Sequence, residues 1–285
     1  MTTFPIETVA VIGACTMGQG IAQVCAAADF DVLLYDVRPD LIDRGINNII
    51  RTLDALVAKG RLSSDEKDHI LSRIGECTSM EKLEADLVIE AAVENIEVKK
   101  EIFSAIEKVN GPRTVFATNT SSLSVTAISS ALGNPSRFAG LHFFNPAPVM
   151  NLVEIVSTAT TSPETLQLLI DFTRDLGKVP VVAQDSPGFI VNRVARHFYV
   201  ESLKVLEEGV TNYENIDQLM RATGFKMGPF ELMDLIGIDI NFAVTSSLYE
   251  AFHGDPKFRP SRIQQQKVLA GHLGRKSGKG FYEYT

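Results

Sequence analysis

The chain has 285 residues, enough for one large domain or two ordinary ones. Its 45% apolar and 22% charged content is that of a globular protein, and no apolar stretch reaches the length needed to cross a membrane. A formal net charge of −8 argues against nucleic acid as the main partner and requires basic residues to be gathered locally if a ligand is anionic. The three cysteines, Cys15, Cys25 and Cys77, have neither metal-ligand spacing nor a disulfide framework, so no metal is expected. No basic segment followed by an apolar one opens the sequence, so no secretory signal is expected and a reducing, cytoplasmic setting follows.

An apolar run at 8–12 reads as a strand, and Gly13-Ala-Cys15-Thr16-Met17-Gly18 as a tight turn that opens a helix over 19–29. A second strand at 31–35 ends on Asp36. Strand, glycine turn, helix, strand and terminal carboxylate is the order of a dinucleotide-binding fingerprint. Gly13 permits the turn, Gly18 permits close helix–sheet packing, and the helix N-terminus offers N–H groups to a pyrophosphate. Asp36 would accept bonds from a ribose 2′-hydroxyl and repel a 2′-phosphate, favouring NAD over NADP, with Arg38 near enough to leave the preference open. Cys15 departs from the pattern, because its Cβ and sulfur stand where glycine lets the backbone approach the diphosphate. The bland alternative is a βαβ start that binds no nucleotide, although three glycines and a strand-end Asp serve no shared packing need.

Residues 40–75 read as an inserted helical hairpin broken at Lys59-Gly60-Arg61. Over 51–61, Arg51, Lys59 and Arg61 are opposed by Asp54 alone; the bland reading is a solvated surface. Strands follow at 87–91, 114–118, 138–143, 152–156 and 179–183, with helices at 97–109, 125–132 and 163–176. Their short apolar runs suit a sheet covered on both faces. The fold class is therefore α/β, a Rossmann-type, doubly wound and mostly parallel sheet. Gln184-Asp-Ser-Pro-Gly188 marks a boundary between a nucleotide-binding domain, 1–184, and an all-helical domain, 185–285. The latter has helices at 188–208, 213–223, 229–252 and 260–273, and the junction suggests a ligand cleft.

His142 falls near the carboxyl end of a buried strand, where ligands bind in open α/β sheets. Glu154 is a carboxylate inside an apolar strand, costly unless paired, and adjacent strands could bring it to His142. A histidine held by a carboxylate has a fixed tautomer and suits proton transfer to or from an alcohol. Asn119 and Ser121 follow the strand at 114–118, Glu94 and Lys99 follow the strand at 87–91, and Asn192 lies one turn into the first helix of the second domain. Ser121 and Asn192 can donate to an oxygen that gains charge. Each has a plain alternative: Ser121 as a cap for 125–132, Asn192 as an exposed helix residue, Glu94 as a helix-start acid, Lys99 as a solvated lysine.

Taken together, Thr118-Asn-Thr-Ser-Ser, His142-Phe-Phe-Asn-Pro, Asp185-Ser-Pro-Gly-Phe-Ile-Val-Asn-Arg193, Met227-Gly-Pro-Phe-Glu-Leu-Met-Asp234 and Gly274-Arg-Lys-Ser-Gly-Lys-Gly-Phe-Tyr282 resemble the short-chain L-3-hydroxyacyl-CoA dehydrogenase family over essentially the whole chain. The resemblance implies NAD as cofactor, an acyl-CoA substrate, His142 as acid–base residue and Glu154 as its partner. It implies that Ser121 and Asn192 bond the reacting oxygen or thioester carbonyl, with Asn145 nearby. Asp36 would hold the adenine ribose, and Glu94, Lys99 and Asn119 would line the cofactor and substrate cleft. Lys59 and its hairpin neighbours, Arg51 among them, would face coenzyme A, and the helical domain would form a homodimer. Two other readings stay open: a related NAD-dependent oxidation of a sugar acid, and a non-catalytic NAD-binding sensor or structural protein.

Overall fold

The computed structural model describes residues 5–284, and the chain divides into two compact units after Ser186. The first unit carries β1 (Thr8–Ile12), α1 (Thr16–Ala27), β2 (Asp31–Tyr35), α2 (Pro39–Ala58), α3 (Ser64–Ser72), β3 (Ile74–Cys77) and β4 (Leu87–Glu90). It continues through α4 (Ile96–Val109), β5 (Val115–Thr118), α5 (Val125–Ser129), β6 (Phe138–Phe143), β7 (Leu152–Ser157), α6 (Pro163–Asp175) and β8 (Val179–Gln184). One sheet runs β3-β2-β1-β4-β5-β6-β7-β8. The strands are parallel from β3 through β6; β7 is antiparallel to β6, and β8 is parallel to β7. Residues 144–151 are too few for a parallel crossover, so the chain turns back after β6. Val9, Val11, Val88, Ile89, Phe116 and Leu141 are fully buried, which explains why their strands read as continuous apolar runs.

The hairpin is built as its sequence dictates. Ile42, Ile49 and Leu53 form the buried stripe of α2, and Ser63 starts α3 through a reciprocal capping box with Glu66. β3 lies at the end of the stretch expected to be wholly helical. Its Ile-Gly-Glu-Cys sequence has no apolar run, and pairing with β2 at the sheet edge creates it. Asn95 caps α4 by accepting from the N–H groups of Glu97 and Val98.

The second unit is helical: α7 (Val191–Glu207), α8 (Tyr213–Ala222), α9 (Pro229–Ile236), α10 (Ile238–Ala251) and α11 (Arg262–Leu269). The helix expected over 229–252 breaks at Gly237, whose φ of 106° no helix accommodates. The first helix begins later than expected, because Phe189 has a φ of 47°. Tyr199, Leu203, Ile216, Phe230, Met233, Ile238 and Phe281 form the core. Two buried carboxylates tie it together. Asp217 accepts from the N–H groups of Phe230 and Glu231 and from the Tyr282 hydroxyl, each at 2.9 Å. Asp234 accepts from the N–H groups of Phe281 and Tyr282 and from the Tyr284 hydroxyl, each at 2.9 Å. Burial pushes the Asp217 carboxyl up, and the Tyr284 phenol is raised to about 12 by burial and by Asp234. The two C-terminal sequence strings are thus a structural clasp around α9.

Candidate active site

The carboxyl ends of β1, β2 and β4 surround a cavity of about 600 Å³ lined by Gly13, Cys15, Asp36, Arg38, Val93 and Ile102, among others. Its floor requires glycine. Gly13 has a φ of 104°, and a Cβ there would lie 2.6 Å from the Ala91 carbonyl oxygen. A Cβ on Gly18 would lie 1.6 Å from the Gly13 carbonyl oxygen, so α1 packs onto the turn only without one. Cys15 is the N-cap of α1 at φ −76°, a conformation any residue adopts, and supplies no side-chain cap. Its side chain is exposed and stands on the cavity wall, so the cysteine leaves the turn unstrained. The first-turn amides of Thr16, Met17 and Gly18 have no intrahelical acceptor and present a positive end to an anion.

Asp36 is held at the end of β2 by the N–H groups of Ala14 at 2.9 Å and Arg38 at 3.1 Å. The Arg38 guanidinium is engaged by Asp40 through Nε at 3.1 Å and Nη2 at 2.5 Å. A cation that could have met a 2′-phosphate is therefore occupied. Glycine cradle, helix terminus, fixed carboxylate and cavity size all fit a dinucleotide.

Across the sheet, His142 is the penultimate residue of β6, and the antiparallel register sets Glu154 of β7 directly opposite it. His142 Nδ1 lies 2.8 Å from Glu154 Oε2, and both side chains are buried, His142 at 5% exposure and Glu154 at 0%. A carboxylate on Nδ1 fixes the ring orientation and directs proton exchange to Nε2. Asn119 accepts from the Phe143 N–H at 2.8 Å and so fixes the backbone beside His142. Asn145 is exposed just beyond the strand.

Glu94 anchors the turn after β5. Its Oε1 accepts from the Thr120 hydroxyl at 2.6 Å, the Ser121 N–H at 3.0 Å and the Ser122 hydroxyl at 3.1 Å. The Ser121 hydroxyl lies 3.4 Å from the same oxygen. Burial opposes ionisation of Glu94, but the Thr120 hydroxyl, the Lys99 ammonium and the Ser121 and Ser122 donors together hold its carboxyl below the usual range. The plain alternative for Ser121, a cap, falls away: Ser124 caps α5, accepting from the Ala127 N–H at 3.1 Å. Lys99 is corrected. It is neither solvated nor on an open wall; it is 1% exposed, with its ammonium 2.6 Å from Glu90 and 3.5 Å from Glu94.

Asn192 is the second residue of α7 rather than one turn in, and it is half-buried in the second unit. Arg51 and Lys59 are exposed, on α2 and at its C-cap. Lys67 pairs with Asp54 at 2.5 Å, so the sole acid of residues 51–61 no longer offsets their positive charge.

A family model described as 3-hydroxyacyl-CoA dehydrogenase, NAD binding domain, matches residues 8–186, and one described as its C-terminal domain matches residues 188–284. The chain belongs to the 3-hydroxyacyl-CoA dehydrogenase family. Its first unit is the NAD-binding domain of an NAD-dependent oxidoreductase. The chain is similar to a 3-hydroxyadipyl-CoA dehydrogenase of Escherichia coli K12, 49% identical over 98% of this chain and 59% of that protein. It is likewise similar to a 3-hydroxybutyryl-CoA dehydrogenase of Clostridioides difficile, 40% identical over 97% of this chain and 99% of that protein. A crystal structure of (S)-3-hydroxybutyryl-CoA dehydrogenase from Ralstonia eutropha superposes with a TM-score of 0.94 at 40% identity, covering 99% of this chain and all of that one.

The dehydrogenase also buries, beneath Lys99, an acid that sequence reasoning passed over. Glu90 ends β4 at 0% exposure and accepts from Lys99, from the Ala92 N–H at 2.7 Å and from the Thr118 hydroxyl at 2.7 Å. The signal was present in Leu87-Val-Ile-Glu90, an acid in an apolar strand, the same pattern that singled out Glu154.

Proposed function

We propose that this 3-hydroxyacyl-CoA dehydrogenase interconverts (S)-3-hydroxybutyryl-CoA and acetoacetyl-CoA with NAD. The observation that carries the reading is the buried contact of 2.8 Å between His142 and Glu154 at the carboxyl edge of the sheet. A protein that only binds a nucleotide has no use for a buried base. When bound, NAD would supply the acceptor for the hydride that leaves C3 of the acyl chain. His142 takes the C3 hydroxyl proton at Nε2 while Glu154 holds Nδ1; in the reverse direction protonated His142 returns it. Such acid–base help is worth about 10²–10⁴-fold. Ser121 and Asn192 donate to the reacting oxygen or the thioester carbonyl. Gly13, Cys15, Thr16, Met17, Gly18 and Asp36 hold the pyrophosphate and ribose; Glu94, Asn119 and Asn145 line the nicotinamide end, with Lys99 acting beneath Glu94.

Arg51 and Lys59 face the phosphates of coenzyme A, a reading supported by their uncompensated charge. The protein works as a homodimer through its helical unit, in a reducing, cytoplasmic setting consistent with three free thiols. No described helix is long and apolar enough to cross a membrane. The deciding assay is loss of NADH absorbance with acetoacetyl-CoA. 3-Oxoadipyl-CoA is the second acyl group to assay, because the Escherichia coli relative is named for that chain. Oxidation of free sugar acids, with no turnover of either thioester, would overturn the reading.

A further inference from the structure

The turn Thr120–Ser122 is reached from Glu90 by two separate routes. In the first, Glu90 Oε1 binds the Lys99 ammonium at 2.6 Å, Lys99 lies 3.5 Å from Glu94 Oε2, and Glu94 Oε1 gathers the donors of Thr120, Ser121 and Ser122. In the second, Glu90 Oε2 accepts the Thr118 hydroxyl at 2.7 Å, which in turn accepts the Thr120 N–H at 3.3 Å. The Glu90 main-chain oxygen also takes the Asn119 N–H at 2.7 Å. Glu90 and Lys99 are 0% and 1% exposed. A buried ion pair of this kind is a poor way to gain stability, since desolvating both charges offsets their attraction, and apolar residues of equal size would serve as well or better. What it does supply is a fixed geometry, because a carboxylate with three donors cannot rotate without losing one.

We propose that Glu90 is a positioning residue, which clamps Lys99 and Thr118 so that Glu94, through the Ser121 main-chain N–H at 3.0 Å, fixes the turn that presents the Ser121 hydroxyl. The inference rests on the reading of Ser121 as a group that meets the substrate. Glu90 touches neither cofactor nor substrate; it acts through the turn.

Glu90→Gln keeps the size and removes the charge. In the acetoacetyl-CoA assay its kcat falls about 10–100-fold, the scale of losing an outer support, with KM little changed. In a Ser121→Ala background the same change costs less than about twofold, because the group it positions is already gone. Hydrogen exchange speeds up in residues 118–123 and nowhere else. Equal losses in the two backgrounds, full activity of Glu90→Gln, or faster exchange spread over the chain would each overturn the proposal. If Glu90→Gln does not fold, Thr118→Val cuts the second route without touching a charge and is read in the same way. If the wild-type protein does not turn over acetoacetyl-CoA, the functional reading fails by itself. Exchange at 118–123 in either variant then decides the clamp: local acceleration supports it, and unchanged rates sink it.

Discussion

At the scale of single residues, the site separates groups that carry protons from groups that shape the cofactor cavity. Glu154 accepts on Nδ1 of His142 at 2.8 Å and is fully buried, so its charge is needed when the imidazole gains a proton. Glu154→Gln is expected to lower kcat about 100-fold or more while KM for acetoacetyl-CoA stays within about twofold, as steady-state kinetics will show. Cys15 sits unstrained on the cavity wall as the N-cap of α1, beside the helix end that would receive the pyrophosphate. Cys15→Gly is expected to tighten NAD severalfold by calorimetric titration; unchanged or weaker binding would show that the sulfur is no obstacle. Arg38 is held by Asp40 as a two-point fork, both groups exposed. Asp40→Asn releases the guanidinium, and the kcat/KM ratio for NADP over NAD should rise about fivefold at most, the modest scale of exposed ion pairs. His142 and Glu154 were legible because a buried acid in an apolar run demands a partner. Glu90 obeys the same rule in Leu87-Val-Ile-Glu90, whereas the burial of Lys99 is marked only by its spacing to Phe103 and Ile106 on one face of α4, a signal its charge masks.

At the scale of elements, legibility followed the source of each element's stability. β1, β4, β5 and β6 are covered on both faces and announce themselves as apolar runs. α3 announces itself by the Ser63–Glu66 capping box. β3 does not, because an edge strand of four residues exists only through its pairing with β2. The break between α9 and α10 rests on one glycine in an otherwise helical pattern, which sequence alone reads as tolerated. The hairpin of α2 and α3 gains meaning from its charge. With Asp54 paired to Lys67, Arg51 and Lys59 offer positive charge suited to the phosphates of coenzyme A. Lys59→Ala should raise KM for acetoacetyl-CoA about three- to tenfold at low ionic strength and leave the KM of a short thioester lacking the nucleotide unchanged. An equal change for both substrates would remove the hairpin from coenzyme A recognition.

At the scale of the whole molecule, the helical unit leaves apolar surface uncovered. Val210 is 68% exposed and Leu219 is 63% exposed. Both line a groove of about 640 Å³ with Phe198, Val205 and Met220, walled by α7 and α8. A groove lined this way gains little from staying open to water. The simplest cover is the same face of a second copy, since a two-fold contact repeats one patch on both partners and closes without further growth. Phe225 stacks on Phe198 with ring centroids 4.9 Å apart, which stiffens the groove wall and lowers the ordering cost of association. Sedimentation at micromolar concentration should give a species of twice the chain mass. Leu219→Lys places a charge inside that contact and should shift the species to a single chain, with the secondary structure seen by circular dichroism unchanged. A wild-type protein that sediments as one chain, or a Leu219→Lys variant that stays paired, would show that the groove serves another purpose.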